Sequence, residues 1–223
     1  GFDIRHIVID EAQDMSLFQI DMLKTLMNTG SFTILGDLCQ GIYAFKGLSS
    51  WEDVSEKVFG GRGRFMPLER SYRTTVEIMD YASKTADLLK LNVPRAVPVI
   101  RHGPAVVHKE CAAGKDQAAA IDGIIKAYQQ NGRQSAAVIC KTPDECQRLK
   151  KLLKSPGIRL LTGREKDYGG GTVILPAYLS KGLEFDGVVI ADASRFGMTE
   201  TDVKLLYVAM TRALHELSVV SVK

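Results

Sequence analysis

Two carboxylates stand directly after a run of branched apolar residues near the start of the chain. Ile7, Val8 and Ile9 are followed by Asp10 and Glu11, which predicts a buried strand of a parallel sheet whose carboxyl end reaches the surface. Asp10 could help hold a magnesium ion against the β and γ phosphates of a nucleoside triphosphate, while Glu11 could orient and deprotonate the attacking water. The alternative is a buried strand that simply ends in solvated acids.

A second predicted buried strand, residues 32–35, also runs into polar residues. The amide of Gln40 could contact a γ-phosphate or the attacking water. Tyr43, Phe45 and Lys46 then place two aromatic rings and a cation on a glycine-bounded loop, a combination suited to stacking on unpaired bases. The alternative is that both rings pack in the core beneath the next helix.

Further candidates lie at the predicted ends of helices. Tyr72 and Arg73 are expected just ahead of a helix, where the arginine could face a phosphate and the ring could stack on an adenine. Arg212 is expected near the carboxyl end of a helix over 203–214, where it could reach a γ-phosphate from a second domain as an arginine finger. Taken singly, each arginine is also explained as a surface residue or as a charge favoured by a helix dipole.

The turn between two predicted strands, 172–176 and 187–190, carries a third group of candidates. Gly182 permits a tight backbone approach, Lys181 could meet a phosphate, and Glu184 could accept a hydrogen bond from a ribose hydroxyl. Alone, a Lys-Gly turn between strands is unremarkable.

The elements that must position these residues alternate between strand and helix. Further strands are predicted at 64–68, 105–107, 136–140 and 217–222, and helices at 16–28, 51–59 and 116–130. Two more helices are predicted from their N-terminal signals, one that starts at residue 142 and one that follows a capping box of Thr74 and Glu77. A loop is predicted at 91–104. The alternation favours a parallel, doubly wound α/β sheet.

Composition sets few further limits. The 223 residues suffice for one large domain or two modest ones, and a net charge of +3 permits a nucleic-acid partner without requiring one. The four cysteines include no C-x-x-C pair, which indicates reduced thiols in a cytoplasmic protein and argues against a zinc site. No run is long and apolar enough to span a membrane. The basic, glycine-rich stretch 60–63 is predicted to separate a domain of residues 1–63 from one of residues 64–223.

Five segments, in order, resemble motifs II to VI of the UvrD/Rep branch of superfamily 1 helicases. They are residues 10–14, 36–43, 72–73, 181–186 and 208–213. The resemblance implies RecA-like (P-loop NTPase) α/β lobes, with the end of the first lobe in 1–63 and the second in 64–223, and ATP bound between them. The large domain that many members of the family insert between motifs IV and V has no room here, because Arg73 to Lys181 only just accommodates the second lobe's own strands and helices.

The resemblance further assigns a role to each matching residue. By this likeness Asp10 binds Mg²⁺, Glu11 is the general base and Gln40 senses the γ-phosphate. Tyr72 stacks on adenine, Glu184 meets the ribose beside Lys181 and Gly182, and Arg73 and Arg212 are the two arginine fingers. Phe45 stands where the family usually has a base-stacking tryptophan, so that it, Tyr43, Lys46 and Tyr178 are the expected nucleic-acid contacts. Tyr178, Pro176 and Lys46 depart from the family's usual histidine, threonine and arginine.

The resemblance implies a part of an ATP-driven helicase or translocase on single-stranded or partly duplex DNA. No G-x-x-x-x-G-K-[ST] phosphate loop occurs in the chain, so we expect a missing N-terminal part of the polypeptide and an isolated chain without ATP turnover. The compact second lobe and the sequence of residues 180–186 most resemble the helicase IV and HelD group. Because HelD proteins release stalled RNA polymerase, RNA polymerase is an alternative partner. A non-catalytic nucleic-acid or protein-binding module is the second alternative. We also expect exposed apolar edges and self-association.

Overall fold

A computed structural model describes residues 4–27, 31–42, 47–67, 70–71, 73–87, 97–98, 101–165 and 169–223. The chain divides into two compact units, which are described separately. The N-terminal unit comprises Gly1–Leu68 with Asn92–Pro94, and the C-terminal unit comprises Glu69–Leu91 with Arg95–Lys223. Their assignment to a first and a second lobe stays a prediction.

The N-terminal unit is built on two short parallel strands. Its elements are β1 (Ile7–Ile9), α1 (Leu17–Met27), β2 (Phe32–Ile34) and α2 (Trp51–Asp53), which continues as a π-helix over Val54–Val58. The capping residues predict the start of α1 correctly: Gln19 N donates to Ser16 Oγ and Ser16 N donates to Gln19 Oε1. Ile9, Ile20 and Val54 lie in its core.

The prediction that both strands of this unit are buried is wrong. Val8 is 63% exposed, and the apolar residues of β2 are only half-buried. Ile9 points toward the core that includes Ile20, whereas Val8 points to the opposite face because side chains alternate along a strand. Within the described residues of this unit, no helix covers that second face.

The C-terminal unit contains a six-stranded, wholly parallel sheet in the order β5-β10-β9-β6-β8-β7. Its strands are β5 (Val107–Cys111), β6 (Ser135–Cys140), β7 (Arg159–Leu160), β8 (Gly171–Pro176), β9 (Phe185–Ile190) and β10 (Ala213–Val222). Its helices are α3 (Val76–Ala86), α4 (Lys115–Gln130), α5 (Pro143–Lys150) and α6 (Glu200–Met210). A separate parallel pair joins β3 (Arg70–Ser71) to β4 (Val97–Pro98).

Two layers of helices cover the two faces of this sheet. Alternate sheet residues, such as Ala137 and Ile139, pack with Ile78 of α3 and Met210 of α6. The residues between them, such as Val138, pack with α4 and α5. The central strands β6, β8 and β9 are therefore buried on both faces and are mostly apolar in sequence, whereas β5 at the edge of the sheet is polar and exposed. The predicted α/β class is therefore confirmed, as a parallel sheet flanked by helices.

Several predicted boundaries in this unit are wrong. Residues 64–67 form no strand, and the apolar side chains of Phe65 and Met66 that favoured one are 55% and 67% exposed instead of packed. The loop predicted at 91–104 contains β4, and β5 begins at Val107 rather than at residue 105. The helix predicted over 203–214 is α6, which ends at Met210, and β10 begins at Ala213 rather than at residue 217.

The cap of α3 also differs from the prediction. Thr75, not Thr74, caps the helix by accepting a hydrogen bond from Ile78 N. Glu77, the expected reciprocal partner, bonds instead to residues 102 and 103. By contrast, the predicted start of α5 is confirmed by a complete capping box between Thr142 and Glu145. No helix in the described part of the chain is long and apolar enough to cross a membrane.

Candidate nucleotide site

Asp10 and Glu11 follow β1 directly, and both are exposed. Glu11 is the one non-glycine residue with a positive φ, 54°, among the described residues. This left-handed backbone costs on the order of 1–3 kcal/mol and persists only where the surroundings impose it. The turn is closed by Ala12 N, which donates to Leu35 O at 2.9 Å, and by Glu11 N, which donates to Asp10 Oδ1 at 2.9 Å.

Gln13 fixes the carboxylate of Glu11. Its side chain is buried, with 1% exposure, and both ends of the amide are used. Gln13 Nε2 donates to Glu11 Oε2 at 2.7 Å, and Gln13 Oε1 accepts a hydrogen bond from Asp37 N at 3.0 Å. The amide therefore joins the turn after β1 to the turn after β2.

The turn after β2 extends this connection to Gln40. One oxygen of Asp37 accepts a hydrogen bond from Cys39 N, and the other accepts one from Gln40 Nε2, both at 2.9 Å. Glu11, Gln13, Asp37 and Gln40 thus form a continuous series of hydrogen bonds, which we call the Glu11–Gln40 series. Gly36 is needed beside it, because a Cβ there would lie 2.5 Å from Gln13 Oε1.

Gln13 has no predicted role. It lies in the segment that resembles motif II, but the second partner of its amide lies 24 residues further along the chain. An amide two residues beyond a candidate base was the available signal. The predicted residues Tyr43, Phe45, Lys46 and Tyr72 lie outside the described residues.

In the C-terminal unit, the structure brings Arg73 and Glu184 together. Arg73 Nη1 lies 3.3 Å from Glu184 Oε1, and the two side chains are 77% and 41% exposed. An ion pair this exposed contributes only about 0–1 kcal/mol. The guanidinium can therefore exchange Glu184 for another anion at little cost.

Lys181 and Gly182 form the turn between β8 and β9. Gly182 has a φ of 77°, which a residue with a side chain rarely adopts. Leu183 N closes the turn by donating to Ser180 O at 3.1 Å. Lys181 is half-buried. The backbone is thus tightly turned beside Glu184, as the sequence predicts.

Arg212 differs from Arg73 in being buried, with 6% exposure. Its Nε donates to Val208 O at 3.1 Å and its Nη2 donates to Thr211 Oγ1 at 3.2 Å. Its carbonyl accepts a hydrogen bond from Phe185 N at 3.0 Å. Arg212 therefore holds the junction between α6 and β10, a structural role that accompanies its predicted role as an arginine finger.

Tyr178 lies in a short 3-10 turn after β8 and is partly exposed. It borders a pocket of about 140 Å³ that is also lined by Pro176, Leu161 and Gln147. A half-exposed ring beside an apolar pocket is compatible with the predicted contact to a base.

No group of three or more His, Cys, Asp or Glu residues in the described ranges could hold a metal ion. Mg²⁺ in phosphate-transfer sites is usually bound by one or two carboxylates, with phosphates and waters completing its shell. An exposed carboxylate at the end of a strand, such as Asp10, fits that requirement.

Two family models match the chain. Residues 2–50 match the UvrD/REP helicase N-terminal domain, and residues 172–220 match the UvrD-like helicase C-terminal domain. Among solved structures, the C-terminal domain of a possible DNA helicase from Lactobacillus plantarum WCFS1 is similar, with 27% identity and a TM-score of 0.54. The similarity covers 68% of this chain and 88% of that one.

Two curated relatives bear the name of a DNA helicase. A probable DNA helicase II homolog of Mycoplasma capricolum is 27% identical over 132 residues, which cover 57% of this chain and 18% of the relative. The ATP-dependent DNA helicase srs2 of Schizosaccharomyces pombe is 36% identical over 83 residues, which cover 36% of this chain and 9% of the relative. The matched region therefore spans less than a fifth of either protein.

Proposed function

We propose that this chain is part of an ATP-dependent DNA helicase or translocase of superfamily 1. Its matches to the N-terminal and C-terminal domains of UvrD-like helicases support this proposal. The whole protein couples ATP hydrolysis to movement along single-stranded or partly duplex DNA. Opening and closing of two lobes in each cycle is the motion that such coupling requires.

The Glu11–Gln40 series is the observation that carries this proposal. A general base must be held within hydrogen-bond reach of the water that it deprotonates. Gln13 holds Glu11 by one carboxylate oxygen, and Asp37 holds the amide of Gln40. The base and the γ-phosphate sensor thereby become parts of one bonded unit, so that a change at one is transmitted to the other.

The other residues act on the nucleotide's remaining groups. Asp10 would hold Mg²⁺, which would supply positive charge beside the triphosphate. Arg73 and Arg212 neutralise charge that develops at the γ-phosphate, and the ribose hydroxyl donates to Glu184 in place of the weak pair with Arg73. Lys181 and Gly182 approach the nucleotide beside Glu184, and Tyr72 stacks on the adenine.

The phosphates need a further element, because no phosphate-loop sequence occurs in the 223 residues. We therefore expect the isolated chain to show no ATP turnover and the complete polypeptide to show it. Robust turnover by these 223 residues alone would contradict the assigned site.

Glu11→Gln in the complete polypeptide tests the proposed base. The amide keeps the size of the side chain but cannot accept a proton, so kcat for DNA-stimulated ATP hydrolysis should fall about 10²–10⁴-fold with ATP binding retained. Glu52→Gln, an exposed carboxylate of the same unit, is the matched control. Unchanged turnover in the Glu11 variant would place the base elsewhere or favour a non-catalytic module.

A further inference from the structure

The stretch 101–103 lies against the start of α3, immediately after Arg73. Val76 N donates to Arg101 O at 3.0 Å. Gly103 N donates to Glu77 Oε2 at 2.8 Å, and His102 Nδ1 lies 2.8 Å from Glu77 Oε1. We call residues 101–103 the brace. Because it bonds to the backbone and to a side chain of the first helical turn, it fixes the position of that turn.

Close packing at Gly103 supports the same conclusion. A Cβ at this position would lie 2.6 Å from Thr75 Cγ2, so only glycine lets the brace approach the capping residue of α3. Before the brace, β4 pairs in parallel with β3. The strand before Arg73, β3, is thus bonded to β4, and the helix start after Arg73 is bonded to the brace that follows β4 in the chain.

The side chain of Arg101 connects this region to the sheet. Its Nη1 donates to Arg73 O at 3.4 Å, and its Nη2 donates to His215 Nδ1 on β10. His215 Nε2 lies 3.7 Å from Asp186 Oδ1 on β9, and Asp186 Oδ2 accepts hydrogen bonds from the backbone of residues 134 and 135. A bonded path therefore runs from the Arg73 carbonyl to the central strands.

The chemistry of the two side chains fits this path. Burial, together with the positive charges of Arg101 and Arg133, lowers the pKa of His215, so that the ring is neutral at neutral pH and can accept the bond from Arg101. Asp186 and Glu216 oppose this shift but do not cancel it. A guanidinium donates from two separate nitrogens in a fixed plane, whereas a lysine carries all of its donors on one nitrogen.

We propose that Arg101 is a positioning residue. It holds the backbone of Arg73 against the sheet, so that the exposed guanidinium of Arg73 acts on the γ-phosphate from a fixed backbone position. This proposal rests on the proposed function of Arg73. The side chain of Arg73 is free to turn because its pair with Glu184 is weak, while its carbonyl is tied to Arg101. An arginine whose backbone is already fixed loses less rotational freedom on reaching the transition state than one whose backbone is mobile.

The test is a double-mutant cycle on ATP hydrolysis by the complete polypeptide. Arg73→Ala should lower kcat about 10³–10⁵-fold, as removal of an arginine finger does. Arg101→Gln should lower kcat about 10–100-fold with little change in KM for ATP, because a misplaced group costs rate rather than binding. Arg101→Lys should restore only part of the loss. Lys126→Gln, an exposed cation on α4, is the matched control and should leave kcat unchanged.

The cycle distinguishes positioning from general support of the fold. If Arg101 acts through Arg73, adding Arg101→Gln to the Arg73→Ala variant should change kcat less than twofold. An equal loss in both backgrounds would overturn the proposal, because contributions that do not depend on each other add. An unchanged kcat in the single Arg101 variant would overturn it as well.

A measurement without ATP separates this proposal from the proposed function. Amide hydrogen exchange at residues 73–76 should accelerate in the Arg101→Gln protein and stay unchanged in the Lys126→Gln protein. If exchange is faster in the Arg101→Gln protein but the Arg73→Ala protein is fully active, Arg101 does hold this backbone, but Arg73 is not an arginine finger. Unchanged exchange would show that Arg101 does not hold this backbone.

Discussion

At the scale of single residues, Gln13 shows how a neutral side chain organises charged ones. A buried amide whose two ends are both bonded adds stability, whereas loss of one partner leaves a buried polar group unsatisfied at a cost of about 1–3 kcal/mol. Gln13 donates to a carboxylate and accepts from a backbone amide. Because an amide carries no titratable group, it makes both bonds at every pH.

Gln13→Glu is predicted to destabilise the N-terminal unit in a pH-dependent way. It places a carboxylate oxygen where Nε2 now lies, 2.7 Å from Glu11 Oε2, and two carboxylates this close raise the pKa of one of them. The folded variant then binds more protons than the unfolded chain, so its stability relative to wild type should increase as pH falls from 8 to 5.

Trp51 makes this measurement specific. It is the single tryptophan of the chain, and its ring lies next to Gly36 and Gln13 in the N-terminal unit. Urea unfolding followed by its fluorescence should show a midpoint for Gln13→Glu that is far below wild type at pH 8 and closer to it at pH 5. Gln129→Glu, on the exposed side of α4, is the control. A midpoint difference that does not depend on pH would argue against a carboxylate pair.

At the scale of secondary-structure elements, the start of α3 depends on a charge. Bonds from His102 and from Gly103 N hold the pKa of Glu77 at about 2, well below its usual 4.5. As pH falls from about 4.5 toward 2, the unfolded chain takes up a proton that the folded chain does not. The contribution of Glu77 to stability is therefore present above pH 4.5 and is lost through this range.

Glu77→Gln should consequently flatten the acid limb of the stability profile. Urea unfolding of the chain, followed by far-UV circular dichroism at pH 5, 4 and 3, should show a smaller decrease in midpoint for the variant than for wild type. Glu110→Gln, an exposed carboxylate on β5, should keep the wild-type slope. Parallel profiles for the Glu77 variant and wild type would mean that the brace does not bind this carboxylate in solution.

Elements that are determined by local signals were predicted well from the sequence. The capping box of α5 and the apolar period of α4 depend on residues that are close together in the chain, and β6, β8 and β9 are rich in apolar residues. The predicted end of α6 is wrong because apolar residues continue past Met210. From Ala213 onward these residues form β10, which pairs with β9. That partner lies elsewhere in the chain, so helical periodicity could not reveal it.

The candidate site divides in the same way. The positions of Asp10 and Glu11 after a strand follow from local pattern, and so does the tight turn at Gly182. The bonds that hold these residues were not predictable, because Asp37 lies 24 residues from Gln13 and Arg101 lies 28 residues from Arg73. The roles assigned to Arg73 and Arg212 stay predictions.

At the scale of the whole molecule, α1 carries an apolar stripe that the described residues leave uncovered. Phe18, Met22 and Leu26 repeat every four residues, which places them on one helix face, and they are 71%, 41% and 67% exposed. Soluble monomers rarely expose large contiguous apolar patches. The isolated chain is therefore expected to self-associate through this face.

The double variant Phe18→Glu/Leu26→Glu should reduce that self-association. Sedimentation velocity over a range of concentrations should show larger species for the wild-type chain and a monomer for the variant, since neither side chain contributes to the core. Lys126→Glu, which changes charge on α4, should behave like wild type. A wild-type chain that stays monomeric at every concentration would refute the prediction.

The position of β10 also bears on how the molecule is made. In the six-stranded sheet, β10 lies between β5 and β9, although it is the latest of the six in sequence. During synthesis the ribosome releases β5 long before β10 exists, and in this sheet β5 pairs with no other strand. Until β10 emerges, that strand exposes both of its edges to the cell. The apolar strand β9 likewise lacks its neighbour on one side until β10 is made, so the sheet keeps an unpaired edge, which is open to aggregation, until the last of its strands is in place.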